Sequence, residues 1–457
     1  MEDLHFALFP FPEQGHIAPM YQLALHLVSR GAHVTFINTE TGHQRPRQLL
    51  DPPNQHNTLK HLCITDGIST QRRASLRHDV IVSDANGVAD LSYSSMPILL
   101  RSLEGQASFL EELLDDLKGS RDYPPLSCLI IDAFMPWTAA ISQKLQLPWI
   151  VFWTTSATRL HYTVQTLEPN ETDLEQLKEM ENIPTLTSAS LPVFDLLKLQ
   201  NPDRRQLLVE RVEAMKKAHS ILLNTFDALE EEAIKGLQTK LPVMSLGPFC
   251  IGAGGNTEAL DADDECMPWL DRQTSGSVLY ISFGSKLILQ KDALEQLALG
   301  VESSEVTFLW TIRGGVEDLP EGFLERTKGR SKVMPWVSQG KVLKHRAIGA
   351  FLTHCGWNSI IEAIVGGVPM ICLPFFADQP TNKILVESKW RIGRGIEGSK
   401  IAAECIRQAI QDVMSNSNFK REASLLSSLA SSAMSPEGSS YQNLNFLLEK
   451  FCNHGTK

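Results

Sequence analysis

Two residues far apart in the chain have the types that move protons. His16 ends the stretch FPEQGH (11–16), and Asp132 ends SCLIID (127–132). Each stands where an apolar run stops, the place where parallel α/β sheets collect their ligands. A neutral imidazole there can take a proton from a hydroxyl as general base. A carboxylate on its far ring nitrogen would fix the tautomer and stabilise the imidazolium. Taken alone, a histidine near a helix start is more often structural. The aspartate at the end of a second strand of the same sheet reverses that reading.

A second cluster lies in FLTHCGWNSIIEAIVGGVP, residues 351–369. An apolar strand gives way to a polar knot, His354-Cys355-Gly356-Trp357-Asn358-Ser359, and then to a helix with apolar Ile360, Ile361, Ile364 and Val365 at helical spacing. Ser359 and Glu362 have the spacing of a capping box. A helix start offers unpaired amides and the positive end of its dipole, which attract phosphate, and His354, Gly356 and Asn358 add donors and a close backbone approach. Glu362 would repel phosphate but can accept from a sugar diol. Trp336 offers a flat face to a base, and Asp378 with Gln379, just past the strand VPMICLP (368–374), suit several sugar hydroxyls. Base, ribose, diphosphate and sugar each find a partner, so the chemistry indicated is that of a nucleotide sugar.

The elements that must hold these groups are short β-rich runs alternating with helical periodicity. Strands are expected at 6–11, 33–39, 127–132, 149–153 and 220–224, and again at 277–285, 306–313, 347–353 and 368–374. Near-continuous apolar strands separated by helices imply parallel sheets covered on both faces. A helix from about Ile17 to Gly31, with Pro19 in its first turn, follows His16. The Gly- and acid-rich run 247–265 lacks periodicity and is expected to link two domains, as a length of 457 residues also implies.

Bulk properties narrow the classes further. Apolar residues make up 43% and charged residues 21%, ordinary values for a soluble protein. A net charge of -11 with no Lys/Arg stripe argues against nucleic acid. Eight scattered cysteines without a C-x-x-C pair favour reduced thiols and a cytoplasmic location. The N-terminus does not read as a signal peptide, no run reaches the length expected of a membrane span, and the sequon at Asn170 is expected to stay unmodified.

The 44 residues from Trp336 to Gln379, WVSQGKVLKHRAIGAFLTHCGWNSIIEAIVGGVPMICLPFFADQ, resemble the donor-binding box of plant-type UDP-dependent glycosyltransferases. The similarity runs from GHIAP (15–19) to PEGSSYQNLNFLLEKF (436–451). It implies an α/β GT-B fold, two doubly wound, Rossmann-like parallel-sheet domains facing a cleft. Residues 1–246 would bind the acceptor, 247–265 form the linker, 266–435 bind the UDP-sugar, and 436–457 form a helix packing back on the first domain. By this resemblance Trp336 stacks on uracil and the Val337 backbone pairs its edge, while Gln339 and Glu362 take the ribose. Ser282, Ser285, His354, Gly356, Asn358 and Ser359 hold the diphosphate, Trp357, Asp378 and Gln379 hold the sugar, and His16 with Asp132 forms the base. Gln at the last position of the box is associated with glucose. Ser338 departs from the family's usual Pro, which implies a looser turn beside uracil.

The implied reaction is inverting transfer of glucose from UDP-glucose, a co-substrate, to a hydroxyl or carboxyl of a small apolar acceptor such as a flavonoid or terpenoid. No metal or other cofactor is expected, and the protein is expected to be a monomer. Phe11, Met135, Trp137, Trp153 and Phe376 are candidates for the acceptor pocket. A UDP-sugar epimerase or hydrolase on the same architecture would need no acceptor base, and a non-catalytic sugar-nucleotide sensor would be expected to lack His16 or Asp132. Two textual matches carry less. GRGIEG (393–398) fits a dinucleotide fingerprint but lies in a polar run and reads as strand and turn, and Asp261-Ala262-Asp263 reads as a solvated part of the linker, without metal.

Overall fold

The computed structural model describes residues 4–40, 58–67, 81–83, 89–90, 95–120, 123–167, 202–252, 261–285, 287–312, 315–396 and 401–452. Asn170, the middle of the 247–265 run and the end of GRGIEG lie outside these residues. In the first half the strands are β1 (His5–Phe9), β2 (His33–Thr39), β3 (Leu59–Ile64), β4 (Ile81–Ser83), β5 (Ala89–Asp90), β6 (Cys128–Asp132), β7 (Trp149–Trp153), β8 (Ser220–Leu223) and β9 (Val243–Ser245). The second half supplies β10 (Val278–Ser282), β11 (Leu287–Leu289), β12 (Thr307–Thr311), β13 (Ser331–Met334), β14 (Ile348–Thr353), β15 (Met370–Cys372) and β16 (Gly393–Gly395).

Seven of these make one sheet in the order β3-β2-β1-β6-β7-β8-β9, and six make another in the order β13-β12-β10-β14-β15-β16. Every pairing within both sheets is parallel. The sequence reason is visible in the pleat. In β1, Ala7 and Phe9 enter one core while Phe6 and Leu8 enter the core on the opposite face. In β10, Val278 and Tyr280 face one way and Leu279 and Ile281 the other. Strands apolar on both faces must be sandwiched by helices, and the chain supplies one between most successive strands.

The two halves are tied at several points. One core gathers Phe226 and Leu229 from the first half with Trp357, Trp390, Ala423 and Ala430 from the second. The indoles of Trp357 and Trp390 donate to the carbonyls of Asn224 (3.0 Å) and Leu229 (3.1 Å). Strand β11 pairs with β4, which in turn pairs with β5. The last helix, Ser439–Cys452, returns to the first domain, where Leu444, Leu447, Leu448 and Phe451 join the core behind β1.

Three sequence expectations need correction. The helix after His16 runs from Gln14 to Val28, so His16 sits in its first turn rather than before it. Asp261 and Asp263 belong to a helix, Asp261–Asp271, rather than to a flexible linker. The helix Trp357–Gly366 begins at an extended Gly356 with no side-chain cap, so Ser359 is its third residue and the capping box does not form. The GRG of GRGIEG is edge strand β16, and a Cβ at Gly393 would come within 2.1 Å of Met370 O. That glycine is required by strand packing.

Candidate active site

Strands β1 and β6 are neighbours in register, which brings the loop after Phe9 beside the end of Asp132's strand. There His16 Nδ1 lies 2.8 Å from Asp132 Oδ2. Asp132 is buried, and its Oδ1 accepts from the Phe134 amide at 2.9 Å. Both carboxylate oxygens are committed, so the ring must present its proton at Nδ1 and leave Nε2 as the acceptor. Thr154 Oγ1 adds a contact to Nδ1 at 3.3 Å. The ring is wedged between Phe11 (centroids 5.4 Å) and Phe134 (4.9 Å, edge-on). An imidazole locked in rotamer and tautomer is what a general base needs.

The second group forms where β14 ends. The His354 ring is packed between two glycines: a Cβ on Gly284 would sit 2.8 Å from it, and one on Gly356 2.5 Å. Burial pushes its pKa down to about 4, and its Nδ1 is buried without a partner. The ring is therefore neutral, with hydrogen bonding rather than charge to offer. Cys355 holds a left-handed φ of 67°, an uncommon conformation for a side-chain-bearing residue. Asn382 supports that turn, donating to Cys355 O (2.9 Å) and to Asp378 Oδ2 (2.8 Å). Because Gly356 does not cap the helix with a side chain, and Ile360 N is the first to reach back to its carbonyl, the amides of Trp357, Asn358 and Ser359 lack intrahelical partners. Ser282 and Ser285 stand at the end of β10, the neighbouring strand.

Gln339 Nε2 donates to Ser359 Oγ (3.0 Å) and Glu362 Oε2 (2.7 Å), drawing these three expected ligands into one cluster. Burial raises the Glu362 pKa, with the Gln339 hydrogen bond opposing. Trp336 is half-buried after β13, and Val337 is buried. Ser338 adopts φ −71°, the value a proline would impose, so the turn keeps its shape without the ring.

Several expectations shift. The Trp357 side chain is 3% exposed and bonded to Asn224, so no indole is left for a sugar. Gln379 is likewise buried, its Oε1 accepting from the amides of Phe375 (2.9 Å) and Phe376 (3.1 Å), which fixes the loop that carries Asp378. The Asn358 side chain reaches the other domain instead of the diphosphate turn: Nδ2 donates to Gly15 O at 2.9 Å. Of the pocket candidates, Phe11, Met135 and Trp153 are buried core, while Trp137 and Phe376 are only half-buried.

Sequence reasoning missed Phe134, Thr154, Asn382 and Arg211. The Arg211 guanidinium lies 4.1 Å from the Phe134 ring centroid, its pKa pushed down to about 10 by burial against the opposing pull of Asp132. Its helix, Pro202–Met215, has the charge pattern of a solvated surface, which hid it. Asn382 was detectable as a residue four after Asp378 at a helix start.

No three His, Cys, Asp or Glu side chains gather as a metal site would require among the described residues. No helix among those residues is long and apolar enough to cross a membrane.

Comparison with known proteins agrees with this geometry. Residues 250–436 match the family described as UDP-glucoronosyl and UDP-glucosyl transferase. The chain is 34% identical to (R)-mandelonitrile beta-glucosyltransferase of Prunus dulcis, covering 98% of this chain and 97% of that one. It is 34% identical to 7-deoxyloganetin glucosyltransferase of Catharanthus roseus, covering 97% and 96%. Phytolacca americana UGT2, solved with UDP-2fluoro-glucose and pterostilbene, superposes with a TM-score of 0.79 at 26% identity over 98% of this chain and all of that one. The two parallel-sheet domains form the GT-B fold of these structures. With both halves of the site built and the likeness running the length of the chain, the protein belongs to the plant UDP-glycosyltransferase family.

Proposed function

We propose that the chain transfers glucose from UDP-glucose to a hydroxyl of a small, largely apolar acceptor, with inversion at C1 and without a metal. The first domain, 1–246, takes the acceptor, and 266–435 takes the donor. The observation that carries this reading is the hydrogen bond from Asn358 to Gly15 O, which sets the His16–Asp132 pair directly opposite the uncapped helix start. Relatives named for glucosyl transfer to mandelonitrile and 7-deoxyloganetin support the class of acceptor.

In the proposed step the acceptor hydroxyl gives its proton to His16 Nε2 as its oxygen bonds to C1 of the glucosyl group. The bond from C1 to the diphosphate oxygen breaks on the opposite face, and its electron pair leaves with UDP. An α-linked donor then yields a β-glucoside. The amides of Trp357, Asn358 and Ser359, with the neutral His354, meet the charge that develops on the leaving oxygen. Uracil lies on Trp336, and the Gln339–Glu362 pair takes the ribose. Asp378 and the Nε2 end of Gln379 take the sugar. Holding both substrates across one cleft supplies much of the remaining rate.

The test is incubation with UDP-glucose and EDTA against a panel of phenols, cyanohydrins and terpenoid alcohols, followed by mass spectrometry and proton NMR of the product. A hexose adduct with a β anomeric coupling is expected. Free glucose as the sole product would overturn transfer in favour of hydrolysis. His16→Ala should abolish the adduct while the UDP dissociation constant stays put, and retained turnover would remove His16 as the base.

A further inference from the structure

In an α-helix each carbonyl is normally taken by the amide four residues on. Four residues after Gly15 stands Pro19, inside the helix Gln14–Val28, and proline has no N–H. The carbonyl immediately before His16 is therefore denied its regular helical partner by the sequence itself. The partner it has comes from the other domain, Asn358 Nδ2 at 2.9 Å. A carbonyl only accepts, so the amide must turn its NH2 end toward Gly15. Its Oδ1 is then buried without a partner. An oxygen acceptor cannot bond a phosphate oxygen, and Gly15 O takes one of the two Nδ2 hydrogens, so this side chain has at most one N–H left for the diphosphate.

We propose that Asn358 and Pro19 form a positioning pair: Pro19 keeps Gly15 O open, and Asn358 uses that carbonyl to couple the donor-side helix to the His16 turn. The pairing makes the placement of the base depend on the domain that holds the nucleotide. Misplacement of a reacting group by a fraction of its contact distance is enough to slow chemistry severely. This inference rests on the transfer reading above for its rate effects, and on the structure alone for the coupling.

The experiment compares Asn358→Ala, Pro19→Ala and the double variant with the parent by hexose-transfer kinetics, UDP calorimetry and NMR of the labelled His16 ring. Pro19→Ala gives Gly15 O an amide within its own helix and so competes with Asn358. Asn358→Ala should lower kcat about tenfold, the upper worth of one neutral hydrogen bond, with UDP affinity held within about twofold. Pro19→Ala should lower kcat several-fold in the parent and have no further effect in Asn358→Ala. Both single variants should displace the His16 resonance. UDP affinity falling in step with rate would make Asn358 a phosphate ligand and overturn the proposal, as would additive effects of the two substitutions. An unmoved His16 resonance overturns it even if the parent transfers no hexose. A displaced resonance in a protein that transfers nothing would sustain the coupling and sink the transfer reading instead.

Discussion

Asp132 divides its two oxygens between His16 and the Phe134 amide, and this division is what fixes the imidazole. Asp132→Asn would offer the ring an NH2 where it now finds an acceptor, favouring the wrong tautomer. A loss of about 10³- to 10⁴-fold in kcat is expected, with UDP affinity unchanged, measured by steady-state kinetics and calorimetry. His354 makes a different prediction. Its folded pKa of about 4 lies below the 6.5 of an unfolded histidine, so between those values the unfolded chain binds a proton that the folded one refuses. Stability contributed by the neutral ring is present above pH 6.5 and lost as pH falls toward 4. His354→Gln should flatten the decline in urea midpoint between pH 7 and pH 5, and an undiminished decline would show that the ring is not held neutral. At this scale the sequence made the pair His16 and Asp132 legible, because Asp132 ends an apolar run and His16 follows one at a helix start. It could not show which residues satisfy one another. The Gln339–Ser359–Glu362 cluster and the turning of Trp357 away from the cleft depend on contacts 20 or more residues apart.

Among the elements, the buried strands were read from composition, some to the residue and others too long by up to three residues at one end. HVTFINT and WIVFW have the bounds expected, because continuous apolar runs admit little else between polar turns. Strand β3, LKHLCI, was not legible: it is the edge of its sheet, half-exposed, and its polar residues match no buried pattern. Helix starts were read too late at both functional turns, since glycine and an extended residue cap them without a side-chain signature. A third helix start is held from a distance. The buried Glu230 carboxylate accepts from the amides of Ala157 (3.0 Å) and Thr158 (2.9 Å) and from Thr158 Oγ1 (2.8 Å). Glu230→Ala should cost about 2–3 kcal/mol by denaturant unfolding, since it orphans two amides and a hydroxyl together. A loss below about 0.5 kcal/mol would mean that water replaces the cap.

At the scale of the molecule, the division into two parallel-sheet domains was legible, but their mode of attachment was not. The shared core around Phe226, Leu229, Trp357 and Trp390 joins the halves, and beside it Asn358 meets Gly15 of the first domain. These contacts join residues more than 100 positions apart, where periodicity carries no information. The returning helix Ser439–Cys452 is part of the same fastening, with Phe451 edge-on to Phe6 at 6.2 Å. Phe451→Ala should destabilise the first domain by about 3–5 kcal/mol. Urea unfolding followed by tryptophan fluorescence checks this, and an unshifted transition would show that the helix is a passive appendage.

That returning helix also sets an order in time. The core behind β1 needs Leu444, Leu447, Leu448 and Phe451, so the half that leaves the ribosome first is completed last. At about 5–20 residues per second, β1 waits tens of seconds for its final cover. During that interval Phe6 lacks the ring of Phe451 that packs edge-on against it in the finished fold.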